Sequence, residues 1–167
     1  MSLDQSDDLY ALAERLGEAL HARHLMLTTA ESCTGGWASM AVTAVPGSSA
    51  WFERGFVTYS NAAKRDMLGV KPEILAAHGA VSEEVVREMA QGAAQRSGAG
   101  ASLAISGVAG PGGGTAAKPV GLICLGWLAP GVGLRSHSLR CKGGREDVRR
   151  QAVIEALRGL IMLLEPS

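Results

Sequence analysis

Three stretches of this 167-residue sequence carry side chains whose types and spacing could do chemistry. One runs from Gly47-Ser48-Ser49 to Tyr59-Ser60-Asn61-Ala62-Ala63-Lys64. Hydrolysing an amide needs a nucleophile, a base to deprotonate it, a proton donor for the departing amine and donors for the oxyanion. Serine, lysine and tyrosine can fill the first three roles, which makes Ser49, Lys64 and Tyr59 a candidate set. With Asn61 as a helix N-cap, Lys64 falls in the first helical turn, where the positive end of the dipole disfavours its ammonium form and burial would do so further. That is how a lysine becomes a base near neutral pH. The opposing reading is a solvated lysine at a helix start, and spacing alone does not separate the two.

The second stretch is Ala30-Glu31-Ser32-Cys33-Thr34-Gly35-Gly36, where a strand gives way to a helix. Free backbone N–H groups and the helix dipole make such a junction an anion-binding position, so Thr34, Gly35 and Gly36 are candidates to hold a phosphate. A capped helix with glycines for close packing reads equally well. Ser32 either meets the ligand or caps the helix. Cys33 could have a lowered pKa there, although a lone cysteine in that position is more often a small packed residue. The third stretch, Ser106 to Gly114, follows a strand, and six of its nine residues are Gly or Pro. That composition favours a shaped loop with exposed backbone donors, beyond a strand's carboxyl end where open α/β sheets bind ligands. Ser106, Gly107, Gly110 and Gly112 are its candidate substrate contacts, and a long surface turn is the plainer alternative. In the basic cluster Arg140, Lys142, Arg145, Arg149 and Arg150, Arg145 is the candidate anion ligand because it opens a helix just after Gly143-Gly144; the rest suit a solvated helix face. His21, His24, His78 and His137 sit in no glycine motif, so no Ser-His-Asp triad is visible. No carboxylate and histidine spacing marks a metal site, and the expected chemistry is metal-free with no cofactor.

The elements that must position these residues follow from periodicity. An amphipathic helix over residues 7–23, capped by Ser6, is followed by a strand at 25–30 and a helix that ends before Pro46-Gly47. A strand at 55–60, a helix from Asn61 through Leu68, a further helix opened by Pro72 and a long helix from Ser82 to about Ser97 come next. Strands at 101–106, 120–128 and 134–141 precede a C-terminal helix at 145–164, the last two strands forming a hairpin about Pro130-Gly131. Strands alternating with helices predict an α/β fold, with helices on both faces of a mainly parallel sheet that the hairpin makes mixed. The length fits a single domain over 1–167, with residues 1–6 a candidate for disorder.

Composition narrows the partners. Sixteen basic and sixteen acidic residues give a formal charge of zero, so no long-range field favours nucleic acid or an anionic membrane. Three cysteines without paired spacing argue against a disulfide framework or a structural zinc site and suit a reducing cytoplasm. The N-terminus lacks a signal-peptide pattern, and no run reaches the roughly 18 apolar residues that a membrane helix needs.

Seven motifs, AESCTGGW, GSSAWFERGFVTYSNAAK, LGV, HGAVSEEVV, ISGVAGPGGG, KPVG and GREDVRRQA, occur in that order across residues 30–152. Together they resemble the CinA C-terminal domain, or nicotinamide-nucleotide amidase, family. The resemblance implies a three-layer α/β/α fold and an amidohydrolase that converts nicotinamide mononucleotide and water to nicotinic acid mononucleotide and ammonia. It further implies a Ser/Lys pair assisted by tyrosine, with Ser49, Lys64 and Tyr59 at the matching motif positions and Ser32 as the rival nucleophile. Ser32 would otherwise join Thr34, Gly35 and Gly36 on the phosphate or the developing oxyanion. Ser106 stands where related sequences often have threonine, and Gly144 where an aspartate is frequent. Larger relatives carry an additional N-terminal domain associated with pyrophosphate chemistry, whereas this chain resembles the stand-alone form, and a homodimer is expected. The alternative to an enzyme is a regulatory module that binds a pyridine nucleotide without turning it over.

Overall fold

Side chains alternate across a strand, and in β3 (Ala101–Gly107) that alternation buries both faces. Ala101, Leu103 and Ile105 join one hydrophobic core while Ala104, between them, joins another. A strand apolar on both sides lies between two layers of helices. The computed structural model, which describes residues 8–165, has this architecture. Strands β1 (Leu27–Glu31), β2 (Phe52–Val57), β3, β4 (Leu122–Ala129) and β5 (Gly133–Arg140) form one sheet in the order β2-β1-β3-β4-β5. β1 runs parallel to both β2 and β3, whereas β4 is antiparallel to β3 and to β5, so β4 alone opposes the other four. Helices α1 (Leu9–Ala22), α2 (Trp37–Thr43) and α6 (Arg145–Leu164) pack on the face that carries Leu27, Leu103, Ile105 and Leu125. On the face with Ala30, Ala104 and Cys124 lie α3 (Asn61–Leu68), α4 (Pro72–His78) and α5 (Glu83–Ser97). The fold is a three-layer α/β/α sandwich about a mixed sheet.

Two boundaries differ from the sequence expectation in ways that matter to the site. β2 begins at Phe52 and ends at Val57 rather than covering residues 55–60. The Thr58 N–H still donates to the Glu31 carbonyl at 2.8 Å, after which Tyr59 and Ser60 lead the chain off the sheet. Ser60, in extended conformation, then caps α3 by accepting the Ala63 N–H on its hydroxyl at 3.0 Å. Asn61 is therefore the first helical residue, and Lys64 starts the second turn with its N–H donating to the Ser60 carbonyl. At the N-terminus of α1, Asp8 rather than Ser6 is the cap, accepting the Tyr10 N–H at 3.0 Å. Ser6 and the segment 1–6 expected to be disordered lie outside the described residues.

The parallel arrangement gathers the loops after β1, β2 and β3 at one edge of the sheet, since Glu31 pairs with Val57 on one side and Ile105 on the other. The short turn Ser48–Ala50, which feeds β2, lies at the opposite edge: Leu27 at the start of β1 donates to the Trp51 carbonyl at 2.7 Å. Helix α3 is set on the gathered edge by close packing. A Cβ on Gly92 of α5 would overlap the Leu68 carbonyl, so only glycine lets α5 seat the last turn of α3 this tightly.

Candidate active site

The last residue of β1 and the one after it point to opposite layers. Glu31 faces α2 and is fully buried; its carboxylate accepts the Thr34 hydroxyl at 2.7 Å, the Ala38 N–H at 2.7 Å, and the Ser39 N–H and hydroxyl at 3.1 and 2.9 Å. Charge-assisted bonds of this kind satisfy a buried carboxylate and the first-turn donors of the helix together. The chain turns between them on Gly35 and Gly36, which take φ of 60° and 106°, values an L side chain rarely adopts. From α6, Arg149 donates to the carbonyls of Cys33 and Thr34 at 3.0 and 3.2 Å, its guanidinium 5.6 Å from the centre of the Trp37 ring. Where a phosphate was expected beside Thr34, Gly35 and Gly36, the Glu31 carboxylate takes the Thr34 hydroxyl and the first-turn donors of α2. Thr34 is buried with its hydroxyl on Glu31, and the three residues build the turn after Ser32 rather than the cleft wall.

Ser32 faces the other layer, where it meets Lys64. The lysine is only 1% exposed, and its Nζ lies 3.0 Å from Ser32 Oγ, 2.8 Å from the Thr58 carbonyl and 3.2 Å from the Tyr59 carbonyl. Burial pushes its pKa below the ordinary value. Deprotonation would leave Lys64 two N–H groups for the two carbonyls and a lone pair for the Ser32 hydroxyl. Cys33 supplies no counter-charge: burial raises its thiol to about 12, so it stays protonated, the reverse of the lowered pKa its helix-start position suggests.

Ser49 is not brought to this lysine. It sits exposed in the Ser48–Ala50 turn at the start of β2, whereas Tyr59 and Lys64 follow the end of that strand. A five-residue β1 at about 3.3 Å per residue puts roughly 16 Å of sheet between the two edges. The physical reason is plain: residues flanking one strand in sequence are held at its opposite ends.

A cleft of about 310 Å³ opens over Ser32 and Lys64, walled by Tyr59, Ser106, Val81 and the loop after β3. Gly107, Gly110 and Gly112 line it. Among the described residues the N–H groups of Gly110, Gly112 and Gly113 make no hydrogen bond to protein, which leaves them free to donate to a ligand oxygen. Ser106 is buried and donates its hydroxyl to the Ala80 carbonyl at 2.8 Å. Arg145 ties the mouth together, donating to the Gly110 carbonyl at 2.7 Å and to the Tyr59 hydroxyl at 3.4 Å. The Tyr59 ring stands at the rim, 64% exposed, while its carbonyl reaches inward to Lys64. Ala80 and Val81 were not expected here, and nothing in their types could have marked them. Glu31 did leave a signal, an acidic residue closing an apolar run.

The sequence profile of the CinA C-terminal domain matches residues 9–164. The chain belongs to the CinA C-terminal domain family. Among its CinA-family relatives is a Pseudomonas putida protein named nicotinamide-nucleotide amidohydrolase PncC, 55% identical over 159 residues that cover 94% of this chain and 98% of the relative. The protein of the same name from Escherichia coli strain K12 is 53% identical over 154 residues, 92% of this chain and 93% of its own. The crystal structure of the competence/damage inducible protein CihA from Agrobacterium tumefaciens superposes with a TM-score of 0.91 at 47% identity, covering 99% of this chain and 100% of that one. A CinA superfamily protein from Escherichia coli gives a TM-score of 0.92 at 37% identity over 98% and 94% of the two chains. Among the described residues of this CinA-family chain, no helix is long and apolar enough to cross a membrane, and no group of three or more His, Cys, Asp or Glu could hold a metal ion.

Proposed function

We propose that this chain hydrolyses the carboxamide of nicotinamide mononucleotide to nicotinic acid mononucleotide and ammonia, with Ser32 as nucleophile and Lys64 as its base. The observation that carries the mechanism is the buried 3.0 Å contact between Lys64 Nζ and Ser32 Oγ. Neutral Lys64 takes the hydroxyl proton as Ser32 Oγ attacks the amide carbon. The oxyanion that forms meets the N–H groups of the loop after β3. Lys64, now an ammonium, gives its proton to the departing amine; the C–N bond breaks, ammonia leaves and the acyl group remains as an ester on Ser32. Water, deprotonated by Lys64, then attacks the ester, and the proton returns to Ser32 Oγ as the carboxylic acid is released and ionises. Tyr59 and Arg145 close the mouth of the cleft over this sequence.

The test is ammonia release from nicotinamide mononucleotide. Ser32→Ala is expected to lower kcat by about 10³-fold or more, and Ser49→Ala by less than about twofold. Mass spectrometry of protein quenched during turnover should find the acyl adduct on the peptide containing Ser32. Full activity in Ser32→Ala, or loss of activity in Ser49→Ala, would overturn the assignment of the nucleophile; a wild-type protein that binds the nucleotide and releases no ammonia would overturn the amidase reading itself.

A further inference from the structure

A second cavity, of about 590 Å³, adjoins the catalytic cleft, and Val81 lines both. It opens between the first turn of α5, the chain around Lys118, and β4 and β5. Ser106, Cys124 and Ser138 are successive cross-strand partners, the first in the cleft and the other two in the cavity, so the floor of one continues strand by strand into the other. Two of the segments that carry the family resemblance, 78–86 and 118–121, meet on its walls while supplying neither member of the Ser32–Lys64 pair.

The walls are polar and divided in charge. On one side the Lys118 ammonium donates to the His78 carbonyl and, among the described residues, has no carboxylate within ion-pairing distance. On the other, Glu83 accepts the Ser136 and Ser138 hydroxyls at 2.9 and 2.8 Å, one on each carboxylate oxygen. Each oxygen keeps a further lone pair for a ligand hydroxyl. Arg87, one turn along α5 from Glu83, also lines the cavity, and His78 Nδ1 lies 3.7 Å from the Glu84 carboxylate.

We propose that this cavity receives the ribosyl phosphate of the nucleotide, with the phosphate on Lys118 and a ribose hydroxyl on Glu83; the proposal rests on the amidase reading. Neighbouring strands lie about 4.8 Å apart, so Ser106 is one spacing from Ser32. Its hydroxyl bonds Ala80, two residues from the carbonyl on which Lys118 rests. A pyridine nucleotide with its amide at Ser32 therefore extends past Ser106 and Val81 toward Lys118. Arg145 is the rival anion ligand: it bonds Gly110 and Tyr59 with one N–H from each terminal nitrogen and keeps a second N–H on each, so the assay tests it alongside Lys118.

Kinetics on nicotinamide mononucleotide and on nicotinamide riboside, which lacks only the phosphate, decide the matter for wild-type protein, Lys118→Met and Arg145→Met. Lys118→Met is expected to raise KM for the nucleotide about 10- to 100-fold, the scale of one charge-assisted contact, with kcat changed less than about threefold and the riboside unaffected. Equal losses on both substrates, an unchanged KM for the nucleotide, or loss of phosphate preference in Arg145→Met alone would overturn the subsite. Should the wild type release no ammonia, the amidase reading falls, and calorimetry with nicotinamide mononucleotide still judges the cavity. A tenfold or larger loss of affinity in Lys118→Met, with thermal unfolding unchanged, supports it; equal affinity overturns it.

Discussion

Ser32 and Ser49 occupy opposite edges of one sheet, and their surroundings differ in every respect that chemistry requires. Ser49 is exposed in a short turn away from Lys64, whereas Ser32 is buried at the gathered loop edge with that lysine 3.0 Å away. The turn after Ser32 is further held from the layer of α2 and α6, by Glu31 against α2 and by Arg149 from α6. The proposed mechanism makes a serine a nucleophile through its neighbours, and beside the adjacent Glu31 those neighbours are Lys64 of α3 and Arg149 of α6, both distant in sequence.

Three changes break or sharpen this contrast. The largest effect is expected from Lys64→Met, which removes the base from Ser32 and touches nothing near Ser49: kcat should fall by about 10²- to 10⁴-fold. In the wild type, kcat should rise with pH through the lowered lysine pKa. Stability carries the same signature. Because burial depresses the lysine in the folded state, the unfolded chain binds more protons between that lowered value and the ordinary 10.5, so wild-type stability rises with pH across this window. Lys64→Met should lack that slope in denaturant titrations at successive pH values, and an identical slope in both proteins would mean the lysine is not depressed. A smaller effect is expected from Arg149→Met, which frees the carbonyls of Cys33 and Thr34: kcat should drop by about tenfold at unchanged KM, with Arg149→Lys recovering part of the loss. An increase in KM alone would assign Arg149 to substrate instead. The smallest is Tyr59→Phe, which deletes one 3.4 Å contact at the exposed rim and should cost about two- to fivefold in kcat. A loss as large as that of Lys64→Met would make the phenol a proton carrier rather than part of the mouth.

The elements of the fold were legible because their signals are local. β-Branched and apolar runs, the Ser82 cap ahead of Glu83 and Glu84, and the turn at Pro130-Gly131 each act over a few residues, and α5, α6 and the β4–β5 hairpin stand where those signals lie. The site was legible only in part. Lys64, Tyr59, Ser106 and the glycine loop come together as their loop positions suggested, since parallel strands send their following loops to one edge. Ser49 does not, because a strand separates it in space from Tyr59 and Lys64 although the three lie close in sequence. The seat expected at Thr34 to Gly36 was hidden for another reason. Whether a helix start is open to a ligand depends on which side chain already caps it, and Glu31 reaches that start from the strand before the turn. Arg149, within a basic cluster that reads as a solvated face, has its role set by α6 packing beside α2.

The opposite orientation of Glu31 and Ser32 has one more consequence, which concerns register. A shift of β1 by a single residue would exchange every side chain between the two layers. It would carry the Glu31 carboxylate into the space beside Lys64 and the Ser32 hydroxyl toward α2. A carboxylate against the lysine would hold it as an ammonium ion, and an acid and a base that now serve separate layers would neutralise each other in a salt bridge. The pairing of Leu27 with Ala101 and of Glu31 with Ile105 is therefore what keeps the acid and the base of this molecule apart.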